Sequence, residues 1–464
     1  MGVQPYFTND AIILGILIII LGVIFKTSGN KSKFWKKFYI YVPALLLCYF
    51  IPALFHWPFG LISPHWYDLD QLREFLQTNY SAGFGPEAGW SVMQSFIETN
   101  NIDVDSLKAF EKHTSLYFMS SRYLLPASLI LLTLSIDLKE IANLGYKAIV
   151  MFLAGTVGII LGGPIAIILI HYLAPGIIPL GSEDLWKGLS TIAGSWIGGG
   201  ANQTAMKEIF EVSDNLFASM IVVDVIVANI WMGFLLYGAN ITEKIDKWLK
   251  ADTTAIEQLK VKVSNYRASV ERIPTTTEVF MMLGVAFGGV ALSHWGSDIM
   301  APLMGKYADR LIELRLNSLL SKFFWLIVFA TTIGLVLSFT KAKKLEGVGA
   351  SRWGSIFIYI LVATIGMKMN LGEILENLGL FAIGLVWMLV HVLILLIVSK
   401  LIKAPFFFVA VGSQANVGGA ASAPIVASAF SPSLAPVGVL MAVLGYALGT
   451  YGAIITAWLM QGVS

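Results

Sequence analysis

The chain has 464 residues, 56% of them hydrophobic and only 13% charged, and its net charge is +2. Soluble domains carry about a quarter charged residues, so the composition excludes an ordinary soluble protein and reads as a polytopic membrane protein. Near-neutral charge gives no bulk attraction to nucleic acid, and a single cysteine, Cys48, excludes an intrachain disulfide and a cysteine-based zinc site.

The first apolar run, 11–25, has no Lys or Arg before it, which argues for a retained span rather than a cleaved signal. Further runs at 39–56, 118–136, 146–173 and 214–239 complete the first half. The second half offers 277–296, 322–340, 353–370, 379–400 and 434–460. These runs approach the roughly 17–25 residues that cross hydrocarbon. Between the fourth and fifth run of each half lies a polar, glycine-rich segment, 186–211 and 404–430. Residues 57–117 form an acidic insertion expected to hold short amphipathic helices broken at Gly83-Phe84-Gly85-Pro86, and 241–275 form a charged, partly helical linker.

Basic residues fix the orientation. Lys26, Lys31, Lys33, Lys36 and Lys37 follow the first span; seven more basic residues from Lys244 to Arg272 fill the linker; Lys341, Lys343, Lys344 and Arg352 form a third cluster. Were 186–211 to cross the membrane, the linker would face outside. A re-entrant segment that dips in and returns puts all three clusters in the cytoplasm and the insertion 57–117, with the N-terminus, outside. Each half then has five spans and one re-entrant hairpin. Five is odd, so the halves are inverted repeats. A gapless match of Asp137-Leu138-Lys139-Glu140-Ile141 with Asn370-Leu371-Gly372-Glu373-Ile374 supports the repeat.

The two broken segments read Gly194-Ser195-Trp196-Ile197-Gly198-Gly199-Gly200-Ala201-Asn202-Gln203-Thr204 and Gly412-Ser413-Gln414-Ala415-Asn416-Val417-Gly418-Gly419-Ala420-Ala421-Ser422. Non-helical backbone at membrane depth is tolerated only where protein or water covers it, and a matched pair of interrupted segments points to a transporter's substrate site. The glycines permit sharp turns at the midplane, and each turn starts a half-helix whose free N–H groups and positive dipole end face the centre. Two such ends converging from opposite faces favour an anion, most simply a carboxylate. The expected substrate-binding residues are Ser195, Gly199, Gly200, Asn202, Gln203 and Thr204, with Ser413, Gln414, Asn416, Gly418, Gly419 and Ser422. Small residues also serve plain helix packing, but packing does not ask for the amides beside them.

Asp224 sits in the middle of a span, where an ionised side chain costs about 2.5–3.5 kcal/mol and usually serves a function or has a partner. The expected coupling-ion residues are Asp224 and Asn229, for Na⁺ with unwound carbonyls or for H⁺ at Asp224; Asn229, five residues on and about 140° round the helix, need not share its face. Lys368 and Arg122 read as snorkelling side chains, and Thr133 and Thr364 as threonines bonded back to their own helices. His171 and His391 are isolated, and Tyr446 and Thr450 lie on the last span. The six histidines are scattered, and there is no His-Glu-His metal spacing, no phosphate-binding loop and no cysteine pair. The chain therefore reads as a non-enzyme, with no cofactor beyond a coupling ion and no metal beyond Na⁺.

The motifs Gly194 to Gly200 and Ser413 to Gly419, with Leu434-Ala435-Pro436-Val437-Gly438-Val439-Leu440 and Leu444-Gly445-Tyr446-Ala447-Leu448-Gly449, resemble those of the YjcL-like membrane proteins, described only as a domain of unknown function. The resemblance covers nearly the whole chain except 57–117. More distantly the architecture is similar to the sodium/glutamate and 2-hydroxycarboxylate (citrate) symporters, within the cation/proton antiporter and bile-acid symporter superfamily. That resemblance implies an elevator mechanism and a homodimer built on scaffold helices. Under it, 1–60 and 276–345 are scaffold, 61–117 is the extracytoplasmic insertion, and 241–275 is the cytoplasmic linker. Residues 118–240 and 346–464, each with its hairpin, form the transport domain.

The expected protein is thus all-α, lies in a bacterial inner membrane among its lipids, and couples Na⁺ to symport of a small anionic or amino-acid-like (zwitterionic) solute. Proton-coupled symport or cation/proton antiport is the alternative. A membrane scaffold or sensor binding a partner through 57–117 is a second one.

Overall fold

The computed structural model describes residues 4–42, 44–85, 88–136, 141, 144–174, 176–177, 181–252, 274–314, 316–369, 379–431 and 434–464. The match between 137–141 and 370–374, and the linker's stretch 253–273, lie essentially outside them. The described chain is a polytopic helical membrane protein. Seven helices are long and apolar enough to span a bilayer, and up to nine if two bent pairs are each one span.

The seven are α1 (Asp10–Ser28), α6 (Leu116–Leu134), α7 (Tyr146–Leu173), α9 (Asp214–Asn240), α11 (Thr276–Gly305), α15 (Leu380–Ile402) and most of α18 (Ala435–Val463). The other three expected spans are shorter helices: α3 (Ala44–His56) after α2 (Lys33–Tyr41), α13 (Lys322–Ser338) and α14 (Ala350–Gly366). Lys322–Ser338 ends in a 97° bend into a 3₁₀ segment, Lys341–Val348. Lysines 341, 343 and 344 sit in that segment, where an apolar helix has no more apolar sequence to bury. Shorter connecting helices are α10 (Thr242–Leu249) and α12 (Ala308–Glu313).

The chain divides into two compact units. One comprises 1–121 with 359–371. Within it the insertion builds its own core. Helices α4 (Leu69–Tyr80) and α5 (Trp90–Thr99) bury Leu72, Leu76, Met93 and Ile97 against one another. A two-stranded antiparallel ribbon, β1 (His65–Tyr67) with β2 (Glu111–His113), closes the module and departs from the otherwise helical pattern.

The second unit comprises 122–358 with 372–464 and contains both glycine-rich segments. The first lies in α8 (Ser182–Ile209), whose helical path breaks at Gly199, φ 75° and ψ −173°. Only glycine adopts that region without strain. The chain folds back there. A Cβ on Gly194 would fall 2.6 Å from the carbonyl oxygen of Asn202, and Trp186 meets Phe210 with ring centroids 5.3 Å apart. In a straight helix those rings would stand about 36 Å apart at 1.5 Å per residue. The second segment is α16 (Phe406–Val417) followed by α17 (Gly419–Phe430), with Gly419 at φ 57°. It folds back likewise, since Phe407 and Phe430 stack edge-on at 5.4 Å.

Both hairpins run along α7 and α18, in opposite directions. On α7, Lys147 reaches the carbonyl of Lys403 at the base of the second hairpin (3.3 Å), and a Cβ on Gly155 would fall 2.9 Å from Asn416 Nδ2, near its tip. On α18, Gly438 abuts Ala423 of the second hairpin, Gly445 and Gly449 abut Ile197 and Gly198 at the tip of the first, and Gln461 shares a cleft with Trp186 and Phe210 at its open end. A Cβ on Gly452 would touch both Ile197 (3.0 Å) and Ile160 of α7 (3.7 Å). Asn416 lies beside α7 at residues 155–156 and Ile197 near residue 160, so the tips sit within about two helical turns of each other.

The break at Gly199 yields a test. Gly199→Ala forces a Cβ into a glycine-only conformation and is expected to destabilise the purified protein by about 1–3 kcal/mol. Gly233→Ala, on α9 with open space around it, is expected to leave the unfolding midpoint unchanged or slightly higher. Equal midpoints for the two variants in detergent denaturation would show that the break carries no backbone constraint.

Candidate functional site

The first tip is held from three sides. Asn202, on the returning arm, donates from Nδ2 to the Gly198 carbonyl (2.9 Å) and accepts at Oδ1 from Thr450 of α18 (2.6 Å). Thr450 in turn lies 3.0 Å from Thr331 of α13. Thr204 donates from its hydroxyl to the Gly200 carbonyl (2.8 Å), a bond back to its own helix.

Asp224 is buried on α9 and binds both arms of this hairpin. Its Oδ1 accepts from Trp196 Nε1 at 2.6 Å and its Oδ2 from Gln203 Nε2 at 3.0 Å, and the Ser195 hydroxyl is a third partner. Ser195 and Trp196 precede the break and Gln203 follows it, so one carboxylate ties the arms together across the turn. Asn229 donates to the Val225 carbonyl of its own helix (2.9 Å) and shares no hydrogen bond with Asp224.

The second tip uses a matching device. Asn416 donates to the carbonyls of Gly412 (2.9 Å) and Phe152 (3.0 Å) and accepts from Thr156 of α7 (2.8 Å). Ser413 is fixed between Trp231 Nε1 and His391 Nε2, both at 2.8 Å, while His391 Nδ1 meets the Gly155 carbonyl at 3.0 Å. That carbonyl only accepts, so Nδ1 donates, and a neutral ring then accepts the Ser413 proton at Nε2. His391 is therefore a buried link between α7, α15 and the hairpin, a role its isolation in sequence conceals.

Gln414 differs. It is 2% exposed, and its Nε2 donates to Ser422 Oγ across the turn (2.6 Å), but its Oε1 has no hydrogen-bond partner. The amide lies against Gly418, and Gly418 gives the start of α17 no side-chain cap. The glycines of both tips, Gly199 and Gly200, Gly418 and Gly419, are partly exposed, whereas the residues leading into them are buried. Tyr446 of α18 stands over Gly199, with Cε1 3.9 Å from where a Cβ would be.

At the base of the second hairpin, Asp246 of α10 accepts from the backbone N–H of Phe406 (2.7 Å), which caps α16 from outside the hairpin. Burial raises the Asp246 carboxyl above its usual range and this bond partly offsets the rise. Arg122 pairs with Glu208 at the open end of the first hairpin (3.1 Å). Thr133 and Thr364 bond back to Leu129 and Leu361 of their own helices (2.6 and 2.7 Å), and Lys368 lies over the Tyr117 ring at 4.0 Å.

Helices of membrane length around two folded-back, polar-tipped hairpins define an integral membrane protein with a polar centre. The chain belongs to the family described as Protein of unknown function (DUF819), whose model matches residues 97–462. It is also similar to the uncharacterized membrane protein YjcL of Bacillus subtilis (strain 168), with 25% identity over 345 residues, 71% of this chain and 80% of that protein.

The Asp224 latch can be probed by its donors. Hydrogen bonds to charged groups contribute about 1.5–3 kcal/mol and neutral ones about 1. Trp196→Phe should therefore lower stability more than Trp231→Phe, which removes only the bond to the Ser413 hydroxyl. The check is chemical denaturation of both variants in one detergent; equal losses would mean that Asp224 is not held as an anion.

Proposed function

We propose that this protein is a secondary transporter that moves a small anionic or zwitterionic solute across a bacterial inner membrane. The observation that carries the reading is the buried, unpartnered Gln414 Oε1 beside the uncapped start of α17 at a partly exposed tip. An uncapped helix start offers N–H donors and a positive dipole end to a carboxylate. A buried acceptor without a donor is costly, by about 1–3 kcal/mol, and invites an ammonium, hydroxyl or Na⁺. The two needs lie side by side and are met together by an amino acid or a hydroxy acid.

In this reading the two hairpins are re-entrant and belong to inverted repeats of five spans each. Their opposed directions along α7 and α18 support that. By the resemblance to elevator-type symporters, residues 1–60 and 276–345 serve as scaffold and dimer contact, and 118–240 with 346–464 as the moving domain. The insertion 57–117 then faces outside and the linker 241–275 faces the cytoplasm. Na⁺ is the proposed coupling ion, at Asp224 or at Gln414 Oε1. One observation favours a second reading, proton coupling: side-chain donors already occupy both Asp224 oxygens, and rotation of the Gln203 amide would turn an acceptor toward a protonated carboxyl.

Gln414→Met separates binding from folding. Removing an unsatisfied buried acceptor should leave the ligand-free protein as stable as the wild type or more so, by up to about 2 kcal/mol. It should also abolish the thermal shift that citrate, malate, glutamate or aspartate produces with the wild type. A variant that keeps the full shift removes Gln414 from the site. Wild-type uptake in proteoliposomes that persists without Na⁺ at fixed pH selects the proton reading, and no uptake or shift with any probe would end the proposal for this solute class.

A further inference from the structure

The β1–β2 ribbon of the insertion carries a second cluster, independent of the hairpins. Its register sets His65 opposite His113 and Tyr67 opposite Glu111. Side chains alternate between strand faces, so both histidines and Glu111 share one face and Trp66 and Lys112 take the other. One ligand atom from each of His65, Glu111 and His113 can be chosen so that all lie within 4.8 Å of one another. His65 Nε2 stands 3.7 Å from Glu111 Oε1, and the two imidazole centroids are 6.1 Å apart.

We propose that His65, Glu111 and His113 form a transition-metal site, of which zinc is the natural occupant. Two imidazoles and a carboxylate match the three-ligand sets that hold zinc with an open fourth position, whereas magnesium and calcium ask for all-oxygen shells. Tetrahedral bonds of about 2.0–2.1 Å place ligand atoms roughly 3.4 Å apart. The widest gap here exceeds that by little more than 1 Å, within reach of small χ rotations. Because His113 is exposed and His65 and Glu111 are half-buried, an ion can enter from solvent and keep a water in the fourth position.

The strands that carry the cluster are fixed. Tyr67 stacks on Trp90 at 4.9 Å, Asp68 N–H bonds the Phe110 carbonyl (2.9 Å), and Thr114 N–H bonds the Pro64 carbonyl (3.0 Å). Lys112, the nearest cation on the ribbon, is turned to the opposite face and neutralised by Asp68 at 2.7 Å. A bound ion would clip together the two ends of the insertion, which depart from and return to the membrane helices at this ribbon.

The test uses the full-length protein in detergent, purified on a tag without histidines, stripped with chelator and dialysed against micromolar zinc chloride. The expected result is a single equivalent of retained zinc, with affinity reduced roughly tenfold or more in His65→Gln and His113→Gln and unchanged in His171→Gln, an exposed histidine on α7. A millimolar excess of magnesium should not displace the zinc. Because His113 is exposed, its variant keeps the fold, and the wild-type measurement stands without any variant. Wild-type protein that retains no zinc, equal retention by the His65→Gln/His113→Gln double variant, or displacement by magnesium would each overturn the assignment.

Discussion

A helix that breaks inside an apolar interior exposes backbone groups that no water is there to satisfy, and everything at the centre of this protein answers to that requirement. Each freed carbonyl or N–H costs about 1–3 kcal/mol if left alone. The fold uses one side-chain device at both tips, on the carbonyl just before the break at the first and on a carbonyl inside α16 at the second. An asparagine near each turn donates its amide to a carbonyl of its own hairpin, and a threonine from a long neighbouring helix closes the other end. Asn202 with Thr450 does this at the first tip and Asn416 with Thr156 at the second. The long helices are thus braces as well as spans, and the close approach of Gly155 to Asn416 and of Gly449 to Gly198 is what lets short polar side chains reach.

The two tips are not equivalent in their chemistry. At the first, a carboxyl group is already present: Asp224, with donors drawn from both arms. Its two oxygens already hold Trp196 and Gln203, which are therefore not free for a ligand. At the second, no acidic group takes part among the described residues; the nearest ionisable side chain in the network, His391, is fully engaged with Gly155 and Ser413. The incomplete hydrogen bonding is at this tip as well, on Gln414. Within the proposed function, the unsatisfied Gln414 favours the second hairpin for recognition, and the closed network at Asp224 favours the first for holding the centre together.

Much of this was legible in the sequence, and the misses have physical causes. Glycine runs mark breaks because glycine takes positive φ most readily: at Gly199, φ 75° with ψ −173°, it is the one residue without strain, and at Gly419, φ 57°, it is the least strained choice. Asp224 stood out because a charge in an apolar span needs a reason. Its partners did not stand out: Trp196 and Trp231 count as apolar by hydropathy, yet each carries one N–H that matters only once a tertiary neighbour is known. Asn229, chosen for its nearness in sequence, turns back to its own helix. His391 looked isolated because its partners are 22 and 236 residues away. The ribbon of the insertion escaped notice because three-residue strands are too short for an alternating pattern, and the pairing that gathers His65, Glu111 and His113 is invisible to spacing. Spans such as 39–56 and 353–370 came out shorter, as Ala44–His56 and Ala350–Gly366, because continuous hydropathy does not register where a helix bends or ends.

The distribution of close contacts also says which helices can move together in the proposed elevator motion. Trp387 of α15 lies directly on Gly162 and Gly163 of α7 and donates to the Ile159 carbonyl (2.8 Å). With α8 and α16 pinned to the same helices, sliding α7 against α15 would drive an indole ring into backbone. A second tight group joins α6, which the resemblance assigns to the moving domain, to the scaffold helices α11 and α13. Ile130 fills the space at Gly289, Thr133 and the Ile130 backbone that at Gly334, and Phe329 that at Gly296, so these contacts set α6 with the scaffold. Between the groups the contact is mixed: hydroxyl pairs, Thr331 with Thr450 at 3.0 Å and Thr332 with Tyr451 at 2.7 Å, an indole N–H of Trp458 on Ser318 at 3.1 Å, a stack of that indole on Phe324 with centroids 6.4 Å apart, and an apolar cluster of Leu335 with Val443, Leu444 and Ala447. Exchangeable hydrogen bonds can be broken and remade with new partners at about 1 kcal/mol each, whereas interlocked rings and glycines resist displacement as a packed interior does. The seam between α13 and α18 carries both kinds of contact, and Thr450, bonded to Thr331 on one side and to Asn202 on the other, ties that seam to the first tip.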